Sequence, residues 1–230
     1  MHFHLPRPLH GWREFAGEVG IIVVGVLIAL GAEQIVQLIH SREEVRQVRA
    51  ALKGELADDR ARWEYMNAAE ACTLRRLDAL DTWLATAPSS ARVTDAFPNI
   101  LLNLHSSSWD IAKASSAMGQ MPLGERVTYS SLYAALENWR ELLREESANT
   151  QSIGALFETA NQPENRRQIP VLLTRARILL RFRQASSPYI IERFDELAVH
   201  PDARTLNGAI DPKELCRSLK GKPTGSATKV

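Results

Sequence analysis

The sequence predicts an all-α protein in which one N-terminal transmembrane helix continues into a long amphipathic helix and packs with a helical bundle. Three observations lead there. Val19 to Ala32 reads VGIIVVGVLIALGA without a charge, apolar residues then recur at helical spacings along most of the chain, and no segment alternates apolar and polar residues as a half-buried strand does. With 230 residues and 45% hydrophobic content, the chain can bury one core of ordinary size once an anchor is set aside.

The anchor comes first. Beyond Glu33 and Gln34 the apolar character resumes at Ile35, Val36, Leu38 and Ile39. The stretch therefore reaches the roughly 20 residues that cross a bilayer core, provided those two polar residues lie near the headgroups. Glu18 and Glu33 then read as boundary residues of one span. Gly20, Gly25 and Gly31 form no strict G-x-x-x-G pairing motif. A cleaved signal peptide is the alternative, with Arg7 and Arg13 before the apolar run and Ala29 and Gly31 as small residues before a cut. The pattern runs on through Ile39 into a charged amphipathic helix, which favours an uncleaved anchor. Arg42, Arg46, Arg49 and Lys53 on the far side place the large domain in the cytoplasm if the positive-inside rule is counted literally. Long domains translocate largely regardless of charge, however, and a short basic N-terminus is the usual layout of a signal anchor. The expectation is a single-pass protein of the bacterial inner membrane with a periplasmic domain. Its segments are 1–17, the anchor 18–40, the helical domain 41–217 and a small, polar, basic tail 218–230 that is too poor in apolar residues to bury surface.

In the domain, Val45, Val48, Leu52, Leu56, Trp63, Met66, Leu77 and Leu80 mark a coiled-coil-like helix that Pro88 ends; any earlier break falls at Gly54 or around Asn67 to Cys72. Phe97 to Leu104 makes a short apolar element with Thr94 as its cap. Ser107 with Asp110 resembles a capping box for a helix through Trp109, Ile111 and Met118 that Gly119 and Pro122 close. A long helix follows over 128–157, another over 163–184, and a further one opens at Ser187 with Pro188 in its first turn and stops at Pro201. Asp211, Pro212 and Glu214 start a last short helix.

The stretch GEVGIIVVGVLIALGAEQ, followed by ALKGEL and later by SSSWDIAKASSAMGQMPLGERVTYSSLYAAL, resembles an uncharacterised bacterial family of N-terminally membrane-anchored helical proteins over roughly the first 140 residues. The resemblance implies a bacterial membrane protein. It implies no activity and no site residue.

Composition and motifs exclude several chemistries. Twenty-eight basic against 27 acidic residues leave a net charge of +1, which gives no field to recruit nucleic acid. The sequence has no G-x-S-x-G, H-E-x-x-H, Walker or G-x-G-x-x-G motif, so no catalytic residue and no cofactor is expected. His2, His4 and His10 lack an acidic or thiol partner for a metal site. Cys72 and Cys216 are the only cysteines, with no His near either; they form a disulfide in an oxidising compartment or remain buried thiols. Arg166, Arg177 and Arg181 share nearly one face of the most basic segment, RRQIPVLLTRARILLRFR, flanked by Arg167, Arg175 and Arg183. They suit an anionic ligand or lipid headgroups, or else an internal pairing with Glu137, Glu141 and Glu145, which recur every four residues on the preceding helix.

The expected function is a non-enzymatic binding or scaffolding protein whose partners are the lipid bilayer and another protein or a second copy. A small-ligand sensor signalling through the anchor helix is the first alternative. An enzyme with dispersed catalytic residues is the second.

Overall fold

Helix α1 runs unbroken from Gly11 to Thr86, 76 residues or about 114 Å of axis. The computed structural model describes residues 11–94, 96–97, 103–207, 209, 211–212 and 216. Within these the architecture is all-helical: α1, α2 (Ser107–Ala114), α3 (Ser116–Gln120), α4 (Leu123–Glu158), α5 (Pro163–Glu196) and a 3₁₀ turn at Ala203–Leu206, with no strand among the described residues.

Among the described residues, the N-terminal third of α1 packs against no other element. Its most apolar 18-residue window has no buried residue, and by length and composition it is a candidate membrane span. Ile21, Leu27 and Ile35 each keep 60% or more of their surface free.

Further along, α1 becomes the spine of the domain. Its inward positions fall at 52, 56, 59, 63, 66, 70, 73, 77 and 80, alternating steps of four and three, which is the spacing that holds one seam of a helix against its neighbours. Leu52, Leu56, Trp63, Leu77 and Leu80 on this seam are fully buried.

Cross-contacts set the directions of the other helices. Arg49 pairs with Glu125, Glu55 with Tyr133, Trp63 with Trp139 and Trp83 with Phe157, so α4 runs parallel to α1. Arg166 reaches Leu84, Arg177 reaches Asp78 and Asp81, Ser187 meets Trp63 and Asn67, and Asp195 meets Arg60, so α5 returns antiparallel. One apolar cluster lies near the start of the domain around Trp63, Tyr133 and Phe194, and a second lies at its far end around Leu77, Phe157 and Leu173.

α1 is the continuous helix expected: it does not break at Gly54 or between Asn67 and Cys72, because the seam on either side stays in phase. Other expectations are corrected. The expected helix over Trp109 to Met118 is two helices split at extended Ser115, whose hydroxyl donates to the Ala112 carbonyl and so competes with the helical ladder. The cap of α2 is Ser106 rather than Ser107. α4 starts at Leu123, five residues earlier than the periodicity suggests. The two helices expected over 163–184 and from Ser187 are one helix with Pro170 and Pro188 inside it. It ends at Glu196, before Pro201: Ala198 turns into the left-handed region (φ 48°), while the Val199 N–H bonds the Phe194 carbonyl and the Ala198 N–H bonds the Asp195 carbonyl. Most of the expected Phe97–Leu104 element, the 218–230 tail, His2, His4, His10 and most of the Asp211 helix lie outside the described residues.

A Cβ built on Gly54 meets nothing within 4 Å and its backbone is helical. Gly54→Ala is therefore expected to raise stability by about 0.5–1 kcal/mol in equilibrium unfolding. A loss of stability there would mean that α1 is not a continuous helix at this point.

Candidate functional site

The most distinctive local feature is where Pro188 passes α1. A proline inside a helix has no N–H to give the carbonyl four residues back, here Gln184, and its ring crowds that carbonyl, at a cost of about 3 kcal/mol. Ser187, just before it, is held from the opposite helix: Trp63 Nε1 and Asn67 Nδ2 both donate to its hydroxyl, at 3.0 and 2.5 Å. These contacts keep α5 continuous past the proline and leave a cleft of about 550 Å³ beside it, with Asn67 and Glu70 of α1 on one wall and Gln184, Ser187, Pro188, Ile191, Glu192 and Asp195 of α5 on the other.

The cleft is rich in acceptors. Glu70 is 6% exposed, its Oε1 has no hydrogen-bond partner, and Asn67 Oδ1 also has none. Burial raises the Glu70 carboxyl above its ordinary range, against the lowering effect of Arg183 and with a further push from Glu146. Arg183, 4% exposed, donates from Nη1 to both oxygens of Glu146 at 2.8 and 2.6 Å, while its Nε has no partner. Asp195 accepts from Arg60 at 2.6 Å.

A second polar cluster fastens the 103–108 strap. Glu55 accepts from the Ser108 N–H, the Ser107 hydroxyl and the Tyr133 hydroxyl. Burial raises its carboxyl, but these donors outweigh it and bring it below the ordinary value. Asp59, fully buried, accepts the His105 N–H on both oxygens at 3.0 Å and lies 3.3 Å from Arg62. Burial dominates there and pushes its carboxyl up to about 7.

The arginines of α5 are drawn mainly into the fold. Arg166 donates to the carbonyls of Leu84, Ala87 and Pro88 and lies over the Trp83 ring, so it caps the C-terminal end of α1. Arg177 binds Asp78 and Asp81, each at 3.0 Å. Arg175 pairs with Glu145, whereas Glu137 and Glu141 are taken by Arg140 and Arg144 of their own helix. Arg181 is exposed, with no partner among the described residues. The three arginines thus do not converge on one anion site: Arg166 reaches the end of α1 and the two residues after it, Arg177 binds two acids of α1, and Arg181 meets no partner among the described residues. Cys72 and Cys216 are joined as a disulfide with Cα atoms 4.5 Å apart, and the Arg75 guanidinium lies against both sulfurs.

Compared with family models, curated proteins and solved structures, the chain finds no match. The cleft was not anticipated from motifs, because no motif encodes it. One signal was present: Asp59, Glu70 and Thr73 are the polar interruptions of the α1 seam.

Replacing Arg166 or Arg177 with Ala should cost about 1–3 kcal/mol, the range for lost bonds to charged donors, whereas Arg181→Ala should stay within about 0.5 kcal/mol; chemical denaturation checks all three. The raised Asp59 carboxyl makes folding take up a proton between the unfolded value near 3.8 and the folded value of about 7. Its contribution is therefore full below the lower value and is lost as pH rises through the upper one. Asp59→Asn should remove this decline, seen as a flatter difference in melting temperature from pH 4 to 7.

Proposed function

We propose that the protein is a single-pass bacterial envelope protein whose helical domain, held outside the cytoplasm, is a binding module rather than an enzyme. The observation that carries this reading is the unbroken α1: the apolar stretch and the core seam belong to one helix, so a bilayer around the first would fix the domain at its surface. Glu44 already contacts Ser116 of α3, only a few residues past the apolar stretch, which leaves no linker between span and domain. The Cys72–Cys216 disulfide supports the extracytoplasmic side, because such bonds persist in oxidising compartments and are rare in the cytosol. The half-buried Glu55 and the buried Asp59 are engaged by backbone and side-chain donors of the fold, in structural rather than catalytic arrangements.

A sensor is the second reading, favoured by one specific feature. The cleft is lined by Asn67 and Glu70 of α1 itself, so a ligand there would touch the same helix that enters the membrane. A partner protein or a second copy would then read the change, since differential binding to two states is what moves such an equilibrium.

Reporter fusions after Val230 that are active on only one side of the membrane test the placement; activity on the cytoplasmic side sinks it. Thiol alkylation of the protein from cells, without reductant, should leave both cysteines unlabelled. In the purified protein, Cys72→Ser and Cys216→Ser should each lower stability by about 2–4 kcal/mol. Reductant should bring the wild type down to the same level and leave the variants unchanged.

A further inference from the structure

The cleft beside Pro188 has properties that select a ligand. Its lining contributes three carboxylates, Glu70, Glu192 and Asp195, and no basic side chain. An anion would be repelled there and find no donor cluster. A metal ion would need converging ligands, and the described residues bring no three His, Cys, Asp or Glu side chains together for one. What the cleft offers is a buried carboxylate oxygen and a buried amide oxygen, Glu70 Oε1 and Asn67 Oδ1, both without partners. Gln184 and Ser187 of α5 line the same part of the cleft. Unpartnered buried acceptors are costly, and an ammonium group, with three donors and a charge, satisfies such a set.

The far end of the cleft carries a second attraction. Glu192 is exposed and has no ion pair among the described residues, and Asp195 lies one turn further. From Pro188 to Asp195, α5 rises about 10 Å. Between the two ends, the Pro188 ring and Ile191 present apolar surface.

We infer that this cleft binds a small linear organic cation of the diamine class, with one ammonium group at Glu70 and Asn67 and the other at Glu192 and Asp195, its hydrocarbon chain lying over Pro188 and Ile191. The inference deepens the binding-module reading and rests on it, but it is independent of which side of the membrane the domain occupies. Arg183 Nη1 donates to both oxygens of Glu146, so the nearest basic side chain is paired with its own acid. Asp195 keeps its bond to Arg60, so Glu192 is the principal outer anchor.

The test is calorimetric titration of the full-length protein in zwitterionic nanodiscs, where both faces are accessible, with three probes of one length, 1,5-diaminopentane, 1,5-pentanediol and pentanedioate, and with pentylamine as the one-amine control. Of the three equal-length probes, only the diamine should bind, and it should bind more tightly than pentylamine. Glu70→Gln keeps the side-chain shape and should weaken it at least about tenfold, the scale of one charge-assisted bond. Glu192→Gln, on the surface, should abolish the preference for the diamine over pentylamine. Arg181→Ala should change nothing, and melting curves confirm that each variant folds. Binding of the diol or the dicarboxylate in place of the diamine would overturn the ligand class while leaving the module reading intact. Diamine binding unchanged in both Glu variants would place the ligand elsewhere and overturn the site. No binding by any probe would overturn the inference and remove the cleft as support for a sensor, without touching the membrane placement that the fusions decide.

Discussion

Because α1 is unbroken from Gly11 to Thr86, the residues that organise the domain cannot move independently of the apolar residues that precede them. A helix rises by a fixed amount and turns by a fixed angle per residue, so direction and rotation at Ile39 determine both at Leu52. The other elements are assembled on that spine: α5 packs along it in the opposite direction, α4 follows it, α2 and α3 close over its lower turns, and the disulfide brings Cys216 back to it. The domain is therefore oriented by its first helix rather than by a flexible tether.

The seam of α1 also explains where polar groups sit in the interior. A strictly apolar seam would pack well but would not fix which residue of α1 faces which element, since Leu meets Leu equally well one turn away. Asp59 takes the His105 N–H and Glu55 takes the Ser108 N–H, so the strap and the first turn of α2 fit α1 in one register. Arg166 does the same at the top by finding the last carbonyls of α1. Glu70 is the exception. It occupies a seam position with one oxygen unpartnered, in the cleft that Pro188 opens. Two local departures from regular packing, a buried acid and a proline inside a helix, thus lie opposite each other, and functional sites are where such departures accumulate.

The arginine-rich segment shows how composition and role diverge. RRQIPVLLTRARILLRFR has the look of an anion-binding surface, yet its guanidinium groups reach helix-end carbonyls and the acids Asp78, Asp81, Glu145 and Glu146. The acids lie on two different helices, one of them about 100 residues away, so intrahelical spacing on α4 pointed to only one of the partners.

The all-α class, the apolar stretch and the amphipathic periodicity of α1, α4 and α5 were determined by the sequence alone, because each is a local property: helical spacing and length of an apolar run need no knowledge of neighbours. Tertiary structure decided the rest. Pro188 reads locally as a helix start, and only the bonds from Trp63 and Asn67 to Ser187 make it an interior residue. Ser115 reads as mid-helix, and there the chain instead breaks so that α3 can reach Glu44. The partners of Arg166 and Arg177, the meeting of Cys72 with Cys216 across 144 residues, and the cleft itself are long-range pairings. Their free energy depends on which helix lies beside which, and no spacing along the chain encodes that.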